Sequence, residues 1–168
     1  SGGAVYSTGA RIHDSTFDTN SANFSGGAVY GEPATITNSV FRNNSALDSG
    51  GGVSLDSGRL YNSLLHDNWS SRLAGGVVLR AGDVRGCTVA RNGAGDMAGG
   101  LYSWGPATVS DTIIWQNYAP KQANLAFLLF TLGGGLGGAL FLMTGALGLH
   151  DAPMFETYFQ RYAWYELI

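Results

Sequence analysis

The sequence predicts an all-β protein, a right-handed parallel β-helix of about five coils, followed by one C-terminal transmembrane α-helix and a short amphipathic aromatic tail. Three observations carry this expectation. Glycine pairs recur every 24 to 25 residues, at Gly2-Gly3, Gly26-Gly27, Gly51-Gly52, Gly75-Gly76 and Gly99-Gly100, and an asparagine keeps step with them at Asn20, Asn44, Asn68, Asn92 and Asn117. Between these landmarks lie short apolar runs rich in β-branched residues and bounded by Gly, Asn and Ser. Near the C-terminus, residues 124–149 form a stretch of 26 residues without a charge. A fixed period of this length marks a solenoid, whose units bury their apolar faces only against one another.

Residues 1–119 are the β-helix. Ile12, Ile36, Leu60, Val84 and Val109 align in one column, Ser15, Ser39, Ser63, Cys87 and Thr112 in a second, and Phe17, Phe41, Leu65, Val89 and Ile114 in a third. Runs this short read as strands, because a helical repeat needs about ten to twelve periodic residues per helix. Stacked coils bring like residues within about 4.8 Å. The asparagine column is then expected at a sharp turn, where Asn tolerates the left-handed conformation and its amide bonds to the coils on either side, as stacked amides do in cross-β assemblies. The glycine pairs suit a second corner needing positive φ or close backbone approach. The Ser/Cys/Thr column suits a narrow part of the interior.

The GGAV runs at Gly2 to Val5 and Gly26 to Val29, together with FxxN at Phe17 to Asn20 and Phe41 to Asn44, resemble the repeats of chlamydial polymorphic outer-membrane proteins. The resemblance covers roughly residues 1–119 and implies a β-helical, autotransporter-type surface protein with a role in adhesion. Later units keep the glycines and the asparagine but lose the Phe or the Ala, and no C-terminal β-barrel follows. The chain opens at a glycine pair with neither a signal peptide nor a cap, so it is expected to be a piece of a longer protein or to have its end covered.

Many β-helices cleave polysaccharides, and hydrolysis of a sugar wants two carboxylates facing one groove. Asp14 and Asp111 share a column but stand four coils apart, about 19 Å at the strand spacing. Asp18, Arg42 and His66 share another column, with Asn43 and Asp67 beside them; this is the best polar cluster, and a solvated face of alternating charge is its simplest reading. His13, His66 and His150 have no metal-ligand spacing. Cys87, the single cysteine, excludes an intrachain disulfide and reads as a buried small residue. No catalytic residue, metal or cofactor is expected. Trp69, Trp104 and Trp115 are candidates to stack on a glycan or a protein ligand. Asn23, Asn43 and Asn68 fit the glycosylation sequon, as an Asn/Ser-rich repeat does by chance. The β-helix with its linker is net −1 and the tail net −2, within a total of −3, which is no nucleic-acid footprint.

Residues 120–123 read as a linker and 124–149 as the membrane span, about 39 Å long as a helix at about 1.5 Å per residue and so long enough for a hydrocarbon core of about 30 Å. A buried soluble helix fits less well, since thin coils offer no groove for it; Gly133-Gly134-Gly135 keeps a broken or re-entrant helix open. Gly134 with Gly138, and Gly133 with Gly137, form GxxxG pairs that let another helix approach closely. In residues 150–168, Phe155, Tyr158, Phe159, Tyr162 and Tyr165 fall on one helical stripe with Trp164 nearby, as an interfacial or partner-docking segment would. The leading expectation is a non-catalytic, single-pass protein that holds its β-helix on the extracytoplasmic side. It would bind or scaffold, packing its Gly-rich helix against partner membrane helices as a subunit of a complex. The alternative is an adhesin-like surface protein, with a polysaccharide-active enzyme third. Membrane lipid, other membrane helices, and a glycan or protein on the β-helix are the expected partners; nucleic acid is not.

Overall fold

The structure, a computed structural model, describes residues 1–127, and every regular element in that range is a strand. Each complete coil contributes four strands; in the second they are Val29–Gly31, Ala34–Thr37, Val40–Arg42 and Ser45–Ala46. Like strands of successive coils pair in parallel, giving sheets of six, five, five and four strands that wrap one core. The protein is a parallel β-helix. Val5, Val29, Val53, Val77 and Leu101 stack in register at 24 residues per coil. The turn at Trp104-Gly105-Pro106 holds one extra residue, so Val84 pairs with Val109 and Val89 with Ile114, 25 apart.

Strand alternation sends one column of each sheet inward. Val29, Val53, Val77 and Leu101, then Ile36, Leu60 and Val84, then Phe41, Leu65 and Val89 are all 0 % exposed. Val5, Ile12 and Phe17 in the first coil are only half-buried, because a coil with one described neighbour has half its packing. The Phe17 ring lies parallel to that of Phe41 at 4.9 Å, within the range favoured by aromatic pairs.

Three corners per coil are made by a residue at positive φ. They are Asp14, Asn38, Asn62, Gly86 and Asp111 at the first corner; Thr19, Asn43, Asp67, Arg91 and Gln116 at the second; and Gly2, Gly26, Gly50, Ala74, Ala98 and Gln122 at the third. Two expectations are corrected here. The left-handed residue is the one before each ladder asparagine and not the asparagine itself: the turn reverses the chain so that the next side chain points inward, where it can stack. The glycine pairs, moreover, are not one column of pairs. Gly3, Gly27, Gly51, Gly75 and Gly99 share a position, and a Cβ there would run into backbone carbonyls, at Gly27 those of Gly51 and Ser45. Positive φ belongs to the preceding residue, which need not be glycine.

The inward asparagines form a continuous ladder. Asn20, Asn44, Asn68 and Asn92 each donate Nδ2 to Oδ1 of the next, at 2.9, 2.9, 2.8 and 3.0 Å. The same Oδ1 atoms also accept the preceding asparagine's backbone N–H, at 2.9 to 3.0 Å. Nδ2 of Asn44, Asn68, Asn92 and Asn117 reaches back to the carbonyls of Phe17, Phe41, Leu65 and Val89. Asn44, Asn68 and Asn92 are 1 % exposed, so each rung satisfies groups that have no water. The Ser/Cys/Thr column is a second ladder: Ser39 and Ser63 turn their hydroxyls to the carbonyls of Thr37 and Tyr61 and accept the amides of Ser15 and Ser39.

The β-helix does not stop at residue 119. Lys121 bridges Met97, the Gly100 amide donates to the Ala123 carbonyl, and Leu125–Phe127 forms a strand paired with Leu101–Ser103. Residues 120–123, read as a linker, open a sixth coil, and Leu125–Phe127, within the segment read as the start of a helix, is a strand. Apolar residues with β-branched or aromatic neighbours satisfy either reading locally, and the free edge of Leu101–Ser103 decides for the strand. Among the described residues no helix is long and apolar enough to cross a membrane. The rest of the proposed span, with Gly133, Gly134, Gly137 and Gly138, and the aromatics Phe155, Tyr158, Phe159, Tyr162, Trp164 and Tyr165 lie outside the described residues. Asn124 occupies the position of Gly100, yet its Oδ1 accepts Asn117 N and Nδ2, both at 3.2 Å, and so ends the ladder.

Removing Asn68 strands the Asn44 amide and the Phe41 carbonyl. Asn68→Ala is expected to lose about 1–3 kcal/mol in denaturant unfolding, whereas the exposed Asn23→Ala changes stability by less than about 0.5 kcal/mol. Equal effects would refute the ladder's energetic role. Asn124→Ala should speed hydrogen exchange at the Asn117 amide with little change at Asn44, since the lost acceptor is local.

Candidate functional site

The polar column separates into two clusters. Asp18 accepts from Arg42 Nε at 3.0 Å, Asn43 Nδ2 at 3.1 Å and Thr19 Oγ1 at 2.9 Å. One coil on, His66 pairs with Asp67, Nδ1 to Oδ2 at 2.6 Å. An ionised carboxylate only accepts, so Nδ1 carries the proton. Arg91 closes a fork on the same carboxylate, with Nε to Oδ1 and Nη2 to Oδ2 both at 3.0 Å. Asp67 and Arg91 are both left-handed corner residues, 24 apart, and the corner aims their side chains along the stacking direction.

The Arg91 fork holds the Asp67 carboxyl below the ordinary carboxylate range, with His66 assisting and partial desolvation opposing. The Asn43 and Thr19 hydrogen bonds do the same for Asp18, with Arg42 adding to them. Cys87 is buried, desolvation pushes its thiol up, and Sγ faces the Leu60 and Arg85 carbonyls at 3.3 Å, which makes it a structural member of the hydroxyl column.

Beside the Asp67–Arg91 fork lies a groove of about 400 Å³ lined by Asp67, Trp69, Arg91, Gly93, Gln116 and Tyr118, with Asn68 and Asn92 at its floor. Trp69, Gly93 and Tyr118 hold equivalent positions on successive coils. The earlier members of that column are Ser21 and Ser45. Trp69 is 45 % and Tyr118 64 % exposed. The indole edge reaches over Gly93, where a Cβ would meet Cε3 at 2.5 Å and Cζ3 at 2.6 Å, so glycine is required for this placement.

The three tryptophans singled out in the sequence do not come together. Trp104 meets Tyr102 edge-on at 5.1 Å in the inserted turn, and Trp115 lies half-buried on the third sheet, in the His66 column. Asp14 and Asp111 stay at opposite ends of their corner column. Of the sequon asparagines, Asn68 is a buried rung and Asn43 is bonded to Asp18, while Asn23 is exposed. Gly93, Gln116 and Tyr118 escaped the sequence reading, although the change to Trp, Gly and Tyr in one column, after two units carrying Ser, was its signal.

Because the folded Asp67 carboxyl titrates below its unfolded value of about 3.9, the fork stabilises the fold above that pH and the contribution is lost as pH falls through the folded value. Arg91→Ala is expected to move the Asp67 titration midpoint upward in NMR pH titrations and to flatten that part of the acid limb. An unchanged midpoint would contradict the fork.

Residues 14–32 match the model of the Chlamydia polymorphic membrane protein repeat. No curated protein and no solved structure matches the chain. The matched segment runs from the first corner, through the Phe17 strand and Asn20, to the turn after the second coil's first strand, and so takes in one FxxN and one GGAV. The protein is a parallel β-helix repeat protein similar to the Chlamydia polymorphic membrane protein repeats.

Proposed function

We propose that this chain is a non-catalytic, adhesin-like binding protein of an outer surface, its β-helix serving as a rod that presents outward side chains at fixed spacing. The observation that carries this is the conjunction of the repeat match, to a family named for membrane proteins, with a groove whose carboxylate is already paired. Among the described residues Asp67 is the one carboxylate in the lining, and Arg91 and His66 hold it ionised as an acceptor. Sugar hydrolysis uses two carboxylates, so recognition fits this groove better than cleavage.

Membrane attachment belongs to the same proposal. After the strand Leu125–Phe127, residues 128–149 still give 22 residues without a charge, about 33 Å as a helix against a core of about 30 Å. The two GxxxG pairs favour a second reading, in which this span packs against partner helices in a complex.

Fluorescent phosphatidylcholine vesicles carrying the full chain are expected to be retained on cultured-cell monolayers several-fold above empty vesicles; equal retention would remove the adhesin reading. The chain should also stay with membranes through a high-pH wash. Gly134→Leu with Gly138→Leu leaves insertion intact. Loss of co-purifying membrane proteins in that variant would favour the complex-subunit reading, and unchanged composition the tethered rod.

A further inference from the structure

The geometry points to the groove between Trp69 and Tyr118 as a binding site for a neutral pyranose unit of a glycan. This rests on the binding function proposed above and names the ligand class.

An aromatic ring, a fixed acceptor and side-chain donors line it. Small-ligand sites combine aromatic lining with a few placed polar groups and occupy about 300–1,000 Å³; this groove is about 400 Å³. A pyranose has an apolar face of C–H groups and an equatorial rim of hydroxyls. The Trp69 indole offers a large rigid surface to the first, at little conformational cost. Among the described residues it is the only tryptophan of the lining, and Gly93 clears the space its edge occupies. Two coils further along the same column, Tyr118 brings a second ring and a hydroxyl, 64 % exposed.

The rim groups are supplied from the corner. Asp67 is fixed by two Arg91 bonds at 3.0 Å and by His66 on Oδ2, so the acceptor site left on Oδ1 is presented to a hydroxyl donor without a rotamer search. Arg91 spends Nε and Nη2 on that fork and keeps Nη1 to donate, and the exposed Gln116 provides both a donor and an acceptor. The charges cancel within the site. A carboxylated or sulfated sugar would find Arg91 engaged and Asp67 repelling it, whereas a neutral sugar loses nothing. The groove is walled by exposed rings, so it takes one unit of a chain.

Full chain in phosphatidylcholine nanodiscs, which contain no sugar headgroups, is titrated with methyl β-galactopyranoside, β-glucopyranoside and α-mannopyranoside, with N-acetylneuraminic acid as the charged comparison. Saturation-transfer NMR is the readout. At least one neutral glycoside should receive saturation, strongest at the protons of its apolar face. Trp69→Ala and Asp67→Asn should each weaken binding about tenfold or abolish it, and Gly93→Ala, which displaces the ring while keeping it, should do likewise. Trp115→Ala, outside the groove, should leave it unchanged. Thermal melts confirm that each variant is folded. Transfer to none of the neutral glycosides, transfer that survives Trp69→Ala, or transfer confined to the charged sugar overturns the inference. Vesicle adhesion separates the two readings. If the parent adheres and Trp69→Ala adheres equally, the groove inference fails and the adhesin reading stands. If the parent binds a neutral glycoside but does not adhere, the groove stands and the adhesin reading fails.

Discussion

The structure depends on satisfying the backbone at one interior corner. Where the chain leaves the third strand for the fourth, the left-handed turn takes an N–H out of strand pairing and buries it. The next coil's carboxamide meets it, and because one Oδ1 accepts both N and Nδ2 of the previous asparagine, each rung fixes the position of its neighbour in two directions. The neighbouring position at Gly27 is held to glycine because the chain returns so close to the coil above. Strand pairing, interior columns and outer face all inherit the 24-residue advance that this corner sets.

A ladder of this kind is polar. Every carboxamide donates toward the C-terminal side, so the last one needs an acceptor from elsewhere. Asn124 provides it from a different position in the coil, seven residues after Asn117 in place of the usual 24 or 25. The outer surface carries a matching pattern. Arg42–Asp18, Arg59–Asp83, Arg72–Asp48, Arg80–Asp56, Arg91–Asp67, Arg85–Asp111 and Lys121–Asp96 all join one coil to the next. Exposed pairs of this sort add little stability. Their effect is on register, since a coil that slipped by one residue would lose its partners along with its buried face.

The same regularity explains how a groove lined by rings arises in a repeat. A column of Ser21 and Ser45 becomes Trp69, Gly93 and Tyr118. No backbone change is needed, because side chains on the outer face are not constrained by the core. Substituting outward residues on a fixed frame places rings and polar groups at multiples of the strand spacing. Here the corner fork of Asp67 and Arg91 falls beside them.

The sequence by itself determined the coil. A period of 24 to 25 residues, the columns Ile12 to Val109 and Phe17 to Ile114, and the asparagine at each turn leave little other than stacked parallel strands, because each apolar column is buried only against a like neighbour one coil away. The groove was less legible: Trp69 was visible as an aromatic, but Gly93, Gln116 and Tyr118 mean nothing until coils are superposed. Only the tertiary structure decided three further matters. It assigned the left-handed turn to Asn43 and its equivalents and not to the ladder, because which residue turns depends on which side chain must point inward. It split Asp18, Arg42 and His66 into two clusters, because Arg42 pairs with the Asp18 carboxylate while His66 pairs with Asp67 beside it. And it carried the β-helix through Phe127, because the open edge of Leu101–Ser103 is a pairing partner that no local apolar pattern reveals.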